Sequence, residues 1–130
     1  MNVQEALKKY RRVVVVGLSA NPDRPSHWIA QYLKDHGFEV VGVNPGMPKV
    51  EGFTLYPSVR EVPGKLEIVD VFRSPDAIPA LMKELIPLKP GVIWLQPGAQ
   101  NTEAEGTAAR AGIPVISGPC IYQEHRRLNP

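Results

Sequence analysis

The sequence predicts an α/β domain: a mainly parallel sheet of five strands with helices on both faces, in three αβα layers. Two observations predict it. Five short β-branched runs are apolar almost throughout, as strands buried on both faces are, and stretches of helical periodicity separate them. The 130 residues suffice for one domain, and no repeat or linker divides them. We therefore expect residues 1–130 to form a single domain.

The apolar runs give the order of the predicted strands. Because strands and helical segments alternate along the chain, the crossovers should be right-handed and the sheet parallel. The predicted strands are residues 13–18, 39–44, 68–73, 92–95 and 113–117.

The first predicted helix follows the first strand. Its apolar stripe lies within residues 28–33, Ser26 is the expected N-cap, and Gly37 is the expected stop. A second stripe over residues 78–86 predicts another helix. Pro79 would lie in its first turn, where a missing N–H costs nothing.

The remaining helical segments are shorter. Thr102 and Glu105 predict a capping box for a helix that would end at Gly112. Residues 119–128 predict a short final helix. The stretch 45–64 lacks a clear period and predicts a long turn, with one helical turn near residues 58–62.

Composition and charge exclude several classes of protein. The chain carries 15 Lys and Arg against 13 Asp and Glu, a balance that does not predict binding to nucleic acid or to a membrane surface. Basic clusters at residues 8–12 and 126–127 are expected to be solvated. A single cysteine, Cys120, excludes an intramolecular disulfide, and the three His residues show no metal-ligand spacing. Because of this Cys and His content we expect no metal site. No segment resembles a signal peptide or a membrane span, so we expect a cytoplasmic protein.

A parallel sheet of this kind binds ligands beyond the carboxyl ends of its strands. Five segments rich in Gly, Pro, Ser and Asn should reach that edge: residues 17–26, 44–49, 72–76, 96–101 and 118–120. The first is a strand-to-helix turn typical of phosphate binding. Gly17 permits close backbone approach, Ser19 and Ser26 offer hydroxyls, and amides at a helix start favour an anion. An ordinary βα loop with a helix cap is the alternative.

Two familiar nucleotide sites are not predicted. The pattern G-x-G-x-x-G is absent, because Ser19 and Pro22 occupy the second and third glycine positions. No acidic residue ends the second strand, where a ribose 2′-OH would need one; Asn44 and Pro45 stand there instead. The Walker pattern is absent as well. These features argue against a dinucleotide-dependent dehydrogenase and against a P-loop enzyme.

Five short motifs follow one another in the order of the predicted strand ends. They are V-G-L-S-A-N-P at 16–22, V-N-P-G at 43–46, V-F-R-S-P at 71–75, W-L-Q-P-G-A at 94–99 and G-P-C at 118–120. Together they resemble the stand-alone CoA-binding proteins, which are similar to the N-terminal domain of the succinyl-CoA synthetase α subunit and of related ADP-forming acyl-CoA synthetases. The resemblance covers nearly the whole chain and implies a Rossmann-like fold that binds coenzyme A.

The resemblance implies a role for each segment of the ligand edge. The first loop would hold the phosphates through Gly17, Ser19, Asn21, Arg24 and Ser26. The end of the second strand would flank the adenine and the ribose 3′-phosphate through Asn44, Pro45 and Lys49. The next two segments would line the pantetheine path through Phe72, Arg73, Ser74, Pro75, Gln96 and Gly98.

Charge at this edge fits such a ligand. Coenzyme A carries a diphosphate and a 3′-phosphate, and Arg24, Lys49 and Arg73 are the cations predicted nearby. An Arg fork suits a phosphate better than an ammonium group does. The alternative is that each of the three is a solvated surface charge.

Three functions stay open at this point. The first is a non-catalytic module that binds coenzyme A or an acyl-CoA, since the sequence shows no convincing acid–base or nucleophile–base pair. The second is an enzyme, or a subunit of one, in acyl-CoA ligase or transferase chemistry; the resemblance places the phosphorylated His of the synthetases in a following domain. The third is a Rossmann-like domain for another nucleotide or a protein partner. Each is compatible with a homo-oligomer.

A few further residues have two interpretations. Cys120 is expected to be a buried structural cysteine, and the alternative is a mixed disulfide with the CoA thiol. His27 is expected at the surface beside a helix cap, with a phosphate contact as the alternative. Trp28 and Trp94 are expected in the core.

Overall fold

The computed structural model describes residues 1–46 and 49–130. The described residues form five α-helices and six β-strands. In chain order they are α1 (Val3–Lys9), β1 (Arg12–Val16), α2 (Pro25–Asp35), β2 (Glu39–Val43), β3 (Leu55–Tyr56), β4 (Ile68–Val71), α3 (Ile78–Leu85), β5 (Val92–Leu95), α4 (Thr102–Arg110), β6 (Val115–Ser117) and α5 (Ile121–Leu128). The 3₁₀ turn Val59–Glu61 confirms the helical turn predicted near residues 58–62. None of the described helices is long and apolar enough to cross a membrane.

The strands form one parallel sheet in the order β3-β2-β1-β4-β5-β6. All five predicted strands are present, and the predicted Rossmann-like α/β fold is confirmed. The prediction of five strands is nevertheless wrong by one edge strand. β3 comprises only Leu55 and Tyr56, paired with Gly42 and Val43 of β2. Two half-buried residues are too few for a hydrophobic pattern to show in the sequence.

Helices cover both faces of the sheet. On one face α1, α2 and α5 pack against alternate strand residues such as Val13 and Val15. On the other face α3 and α4 pack against Val14 and Val16. Every residue of β4 and β5 is buried, which explains why the central strands are apolar almost throughout.

The start of α2 differs from the prediction, whereas its end agrees. The helix begins at Pro25 after Arg24, so Ser26 is not the N-cap. Ser26 is buried instead, and its Oγ accepts a hydrogen bond of 3.1 Å from the Ser19 amide. Gly37 follows the last turn with a φ of +92°, which confirms the predicted stop.

The capping box of α4 lies one residue earlier than predicted. Asn101, not Thr102, is the N-cap, and its Oδ1 accepts from the Ala104 amide at 3.0 Å. Glu105 completes a reciprocal pair, because its Oε2 accepts from the Asn101 amide at 2.9 Å. α3 begins as predicted, with Pro79 in its first turn.

Two predictions about side-chain exposure differ from the structure, one for part of the N-terminal basic cluster and one for Trp28. Lys8, Lys9 and Arg11 of the N-terminal basic cluster are exposed as predicted, although Lys8 and Lys9 belong to the last turn of α1 and not to a simple turn. The Arg12 guanidinium is largely covered and lies 3.6 Å from the Glu39 carboxylate. Trp94 is buried as predicted, but Trp28 is 39% exposed, because it lies at the rim of the α2 stripe beside α5 rather than against the sheet.

The turn after β1 depends on the close approach of two chain segments. Strand pairing ends at Val16, and Gly17 turns with a φ of +92°. The Phe72 amide donates to the Val16 carbonyl at 2.9 Å. The Phe72 carbonyl then lies against Gly17, where a Cβ would fall inside the contact distance of that oxygen. The chain itself therefore requires glycine at this position, before any ligand is considered.

One carboxyl is buried in the middle of the sheet. Asp70 of β4 lies between Val15 of β1 and Trp94 of β5. It is fully buried, and neither carboxyl oxygen has a hydrogen-bond partner among the described residues. Burial raises the pKa of Asp70 well above its ordinary value, because the interior disfavours the charged form. The native fold therefore favours a protonated Asp70.

Replacing Gly17 by Ala should destabilise the fold, because the new Cβ meets the Phe72 carbonyl in a strained backbone conformation. Gly37→Ala is the matched control, since Gly37 has the same φ of +92° and, apart from its chain neighbours, no described residue has an atom within 4 Å of the methyl that alanine would add there. Backbone strain should cost both variants about 1–3 kcal/mol. Urea unfolding should show a further loss for Gly17→Ala. Equal losses would show that the carbonyl imposes no constraint.

Replacing Asp70 by Asn should stabilise the protein increasingly as the pH rises. In the unfolded chain the Asp70 carboxyl ionises above about pH 3.9, whereas the buried carboxyl resists ionisation up to its raised pKa. Wild-type stability is therefore lost as the pH rises through this window, and the variant avoids that loss. Urea unfolding from pH 4 to 8 measures the difference. The exposed Asp76→Asn is the control; a constant difference for Asp70→Asn would contradict the assignment.

Candidate functional site

The candidate site lies at the carboxyl ends of β1 and β4. The strand order reverses between these two strands, since β2 and β3 continue on one side and β5 and β6 on the other. α2 follows β1 on one face of the sheet, and α3 follows β4 on the opposite face. The departing loops therefore open a crevice, which is where open α/β sheets bind ligands.

A polar concavity of about 380 Å³ lies on the α2 side of the crevice. Four predicted phosphate-binding residues line it together with Pro25 and Phe72: they are Gly17, Ser19, Arg24 and Ser26. The fifth, Asn21, is exposed outside this lining. Its Oδ1 accepts from the Asp23 amide at 3.0 Å and so shapes the loop.

The two predicted hydroxyls support the loop backbone. Ser26 Oγ accepts from the Ser19 amide, and Ser19 Oγ accepts from the Asn21 amide at 3.0 Å. His27 Nδ1 lies 2.7 Å from the Ser19 carbonyl oxygen. A hydroxyl that accepts a hydrogen bond still has its own proton to donate. Both serines can therefore fix the loop and also contact an anion.

The start of α2 offers fewer free amides than the sequence suggested. Pro25 has no N–H, and the amides of His27 and Trp28 both donate to the Arg24 carbonyl, at 2.9 and 3.2 Å. Within this first turn, as far as the structure describes its contacts, only the Ser26 amide is left without a partner. Positive charge for an anion would therefore come mainly from the exposed Arg24 side chain.

An apolar slot of about 190 Å³ lies on the α3 side of the crevice. Its walls are mostly aliphatic, and its charged members are Arg73 and Glu84. Glu84 also pairs with Arg60 at 3.2 Å. The other lining residues are Val16, Val43, Pro45, Pro57, Ser58, Val59, Ala77, Ala80 and Leu81. The predicted residues Pro45 and Arg73 therefore meet here, apart from the predicted phosphate loop.

Asn44, which directly follows β2, links the loop after β2 to the loop after β1. Its Nδ2 donates to the Leu18 carbonyl at 3.0 Å, and its Oδ1 accepts from the Gly46 amide at 3.3 Å. The side chain predicted to flank the ligand is thus engaged with the backbone. Lys49 is exposed. It follows residues 47 and 48 in the sequence, which lie outside the described part of the chain.

The segment after β4 has one inward and three outward side chains. Phe72 is half-buried against the core on the α2 side, whereas Arg73, Ser74 and Pro75 are exposed. The Pro75 carbonyl accepts a hydrogen bond of 3.0 Å from Asn101 Nδ2. This bond ties the segment to the loop after β5, a contact that no pattern in the sequence indicated.

The end of β5 supports the start of α5. Gln96 is only 4% exposed, and its Oε1 accepts from the Ile121 amide at 3.0 Å. Trp94 Nε1 donates to the Pro119 carbonyl at 2.8 Å. Gly98 lies exposed in the following turn, with a φ of +91°. A Gln directly after a buried strand was the only signal in the sequence for this supporting role.

Cys120 occupies the N-cap position of α5 as a free, half-buried thiol. It packs partly against the core on the α1, α2 and α5 face. Within residues 1–46 and 49–130, no cluster of His, Cys, Asp and Glu has the arrangement of a metal site.

A larger concavity, of about 450 Å³, lies at the opposite edge of the sheet. Its lining includes Arg11, Arg12, Glu39 and Glu67. Glu67 Oε1 accepts from the amides of Arg11 and Arg12, at 3.0 and 2.9 Å. These groups join the amino ends of β1, β2 and β4, so we assign this edge a structural role.

Comparison with known proteins gives the family of the chain. Residues 11–126 match the family model of the CoA binding domain. The Bacillus subtilis (strain 168) protein YneT, described as uncharacterized, is 35% identical over 123 residues, which cover 95% of this chain and 91% of YneT. The structure of a hypothetical protein from Pyrococcus horikoshii OT3 is 34% identical and superposes with a TM-score of 0.94, covering 98% of this chain and 90% of that one.

A synthetase of known structure shares the fold. The dinucleotide forming acetyl-coenzyme A synthetase 1 of Ca. Korarchaeum cryptofilum superposes with a TM-score of 0.73 at 23% identity, over 88% of this chain and 27% of the synthetase. The likeness concerns the fold alone and agrees with the synthetase-like architecture that the motifs implied. Because the family match spans most of the chain, the chain belongs to the CoA binding domain family.

Proposed function

We propose that this chain binds coenzyme A or an acyl-CoA across the crevice between β1 and β4, as a single non-catalytic binding or regulatory domain over residues 1–130. The observation that carries the proposal is the pair of concavities on either side of Gly17, one polar with Arg24 and one apolar with Arg73. Coenzyme A combines the same two characters, since its charged phosphates separate a flat base from the pantetheine arm.

The polar concavity suits the diphosphate. The hydroxyls of Ser19 and Ser26 can donate to phosphate oxygens while they continue to support the loop. Arg24 lines this concavity and is exposed, so its guanidinium can approach an anion from solvent. Charge-assisted hydrogen bonds from an Arg fork are stronger than those between neutral groups.

The apolar slot suits the adenine. Aliphatic walls from Val16, Val43 and Leu81 would cover the faces of the base, and the Arg73 guanidinium could stack on it. Pro45 lies at the same slot, and Lys49, four residues later in the chain, would contact the ribose 3′-phosphate.

The pantetheine arm would run from the phosphates towards β5. Phe72 lies at the boundary of the polar concavity and supplies an apolar surface. Gln96 and Gly98 follow on the neighbouring strand end, and Ser74 and Pro75 form the exposed rim. This path leads from the crevice towards the turn that precedes α5.

A binding role is favoured over a catalytic one by how the polar side chains are used. Ser19, Ser26, Asn44 and Gln96 all bond backbone groups and so stabilise the loops. A general base instead needs a lone pair within reach of a reacting proton. Transfer of an acyl group from an acyl-CoA by the purified chain would overturn the non-catalytic assignment and favour the ligase or transferase alternative.

Arg24→Ala should weaken coenzyme A binding by about 1.5–3 kcal/mol, as expected for loss of a hydrogen bond to a charged group. Arg73→Ala should weaken it by about 0.5–2 kcal/mol, as expected for loss of a cation–π contact with the base. Both side chains are exposed, so the fold should be unaffected. Arg110→Ala, an exposed substitution on α4, is the matched control and should leave the affinity unchanged. Isothermal titration calorimetry measures all three. Wild-type affinity in both crevice variants would show that the ligand does not bind there.

Coenzyme A should raise the melting temperature more than 3′-dephospho-CoA does, and NAD should have no effect. A ligand at a hundredfold excess over its Kd stabilises the native state by about 2.7 kcal/mol. If Lys49 contacts the 3′-phosphate, Lys49→Ala should abolish the difference between the first two ligands. A larger shift with NAD would contradict the proposed ligand, and a Lys49→Ala variant that still distinguishes the two would contradict the contact.

A further inference from the structure

The docking of α5 depends on very few buried side chains. The helix has eight residues, of which only Ile121 and His125 are buried. A helix of this length has little stability of its own in water, so it relies on its contacts with the rest of the fold. One of its two buried side chains, that of His125, is therefore a titratable imidazole.

His125 is enclosed by groups from α2 and from the segment that precedes β2. The Tyr32 hydroxyl of α2 lies 2.7 Å from His125 Nδ1, and the two rings meet edge to face. The ring of His36, at the end of α2, lies 5.5 Å from the imidazole, and the ring of Phe38 lies 5.6 Å away. His125 is only 8% exposed in this aromatic setting.

The charged groups around His125 oppose a positive imidazole. Arg11, before β1, lies over the Phe38 ring at 5.6 Å, and the His36 ring lies 5.5 Å from the imidazole. On α5 the neighbouring Arg126 bonds the Tyr122 hydroxyl, and Glu124 pairs with Arg127 at 2.9 Å. The acidic group next to His125 in sequence is thus already paired with another cation.

The first turn of α5 is attached to the ligand edge. The Ile121 amide donates to Gln96 at the end of β5, and the Pro119 carbonyl accepts from Trp94. Ile121 and His125 are four residues apart, so they lie on the same face of the helix. His125 therefore lies one helical turn from Ile121, whose amide bonds Gln96, the residue at the proposed pantetheine path. A change in the docking of His125 can reach Gln96 through this bond.

We propose that α5 is a proton-sensitive clamp: protonation of His125 loosens α5 from α2 and, through the Ile121–Gln96 hydrogen bond, weakens coenzyme A binding. The second half of this inference rests on the proposed function, whereas the first half concerns the fold alone. By linkage, bound coenzyme A should in turn oppose protonation of His125.

The direction of the effect follows from the surroundings of the imidazole. Burial, together with His36 and Arg11, lowers the pKa of His125 from its ordinary value. A released His125 would bind a proton at about pH 6.5, but the docked imidazole does so only at lower pH. Docking of α5 therefore weakens as the pH falls below about 6.5 and stops weakening once the pH lies below the lowered pKa.

Hydrogen–deuterium exchange of the full chain at pH 7.5 and 5.5, corrected for intrinsic exchange rates, tests the clamp without a ligand. Amides of α5 should lose protection several-fold at the lower pH, and those of α4, on the opposite face, should not. His125→Phe retains an aromatic ring but cannot be protonated, so its α5 should show no such loss. Unchanged protection of α5 in the wild type, or an equal loss in His125→Phe, would overturn the proposal.

His36→Gln gives a second test if His125→Phe fails to fold. Removal of the neighbouring imidazole brings the pKa of His125 closer to its ordinary value, so the loss of protection between the two pH values should be smaller than in the wild type. A loss of protection equal to that of the wild type would contradict the proposed influence of His36 on the protonation of His125.

Calorimetric titration of coenzyme A at the same two pH values tests the link to the ligand edge. Wild-type affinity should fall several-fold at pH 5.5, and the fall should be larger than in His125→Phe. The phosphates of coenzyme A titrate in the same way in both measurements, so the difference between the two proteins reports His125. An equal fall in both proteins would overturn the link. If coenzyme A fails to bind at pH 7.5, the proposed function is wrong, while the exchange measurement still decides whether α5 is released by a proton.

Discussion

The contact between Gly17 and the Phe72 carbonyl is the constraint on which the ligand edge depends. β1 and β4 are adjacent central strands, yet the helices that follow them cover opposite faces of the sheet. The Phe72 amide bonds Val16 just where both chains leave the sheet. Because no side chain separates them, the two loops diverge from a single point. The polar concavity and the apolar slot are the spaces that this divergence opens on either side.

The polar residues at this edge divide into two groups. Ser19, Ser26, Asn44 and Gln96 bond backbone atoms and fix the loops before any ligand arrives. Arg24 is exposed and extends from the loop that the Ser19 and Ser26 bonds hold in place, and Arg73 is exposed on the segment after β4. A site of this kind keeps its shape when an Arg is substituted, since the groups that determine shape differ from those that would carry charge to the ligand. Binding and folding can therefore be disturbed separately at the two arginines, but not at Gly17, Ser19 or Ser26, which also shape the loop.

The sequence predicts the layers of this fold better than it predicts the details of the site. The central strands can be recognised in the sequence as apolar runs because both their faces are covered. β3 has only two half-buried residues and shows no such pattern. Helix starts were misplaced at Ser26 and Thr102 because several residues near each start could serve as caps. The sequence shows Asp70 within a strand, but it does not show that the carboxyl has no hydrogen-bond partner in the described part of the chain. The contact between Tyr32 and His125 joins residues 93 positions apart, which no local pattern can reveal.

Two buried titratable groups on the same face of the sheet respond to pH in opposite directions. Asp70 belongs to the sheet itself, and its raised pKa makes the fold more stable as the pH falls towards about 4. His125 belongs to α5, and its lowered pKa weakens the docking of that helix as the pH falls below about 6.5. As the pH falls from about 6.5 towards about 4, the sheet therefore gains stability while the docking of α5 weakens. Release of α5 in this range would therefore be a local opening of a short helix, not the first step of global unfolding.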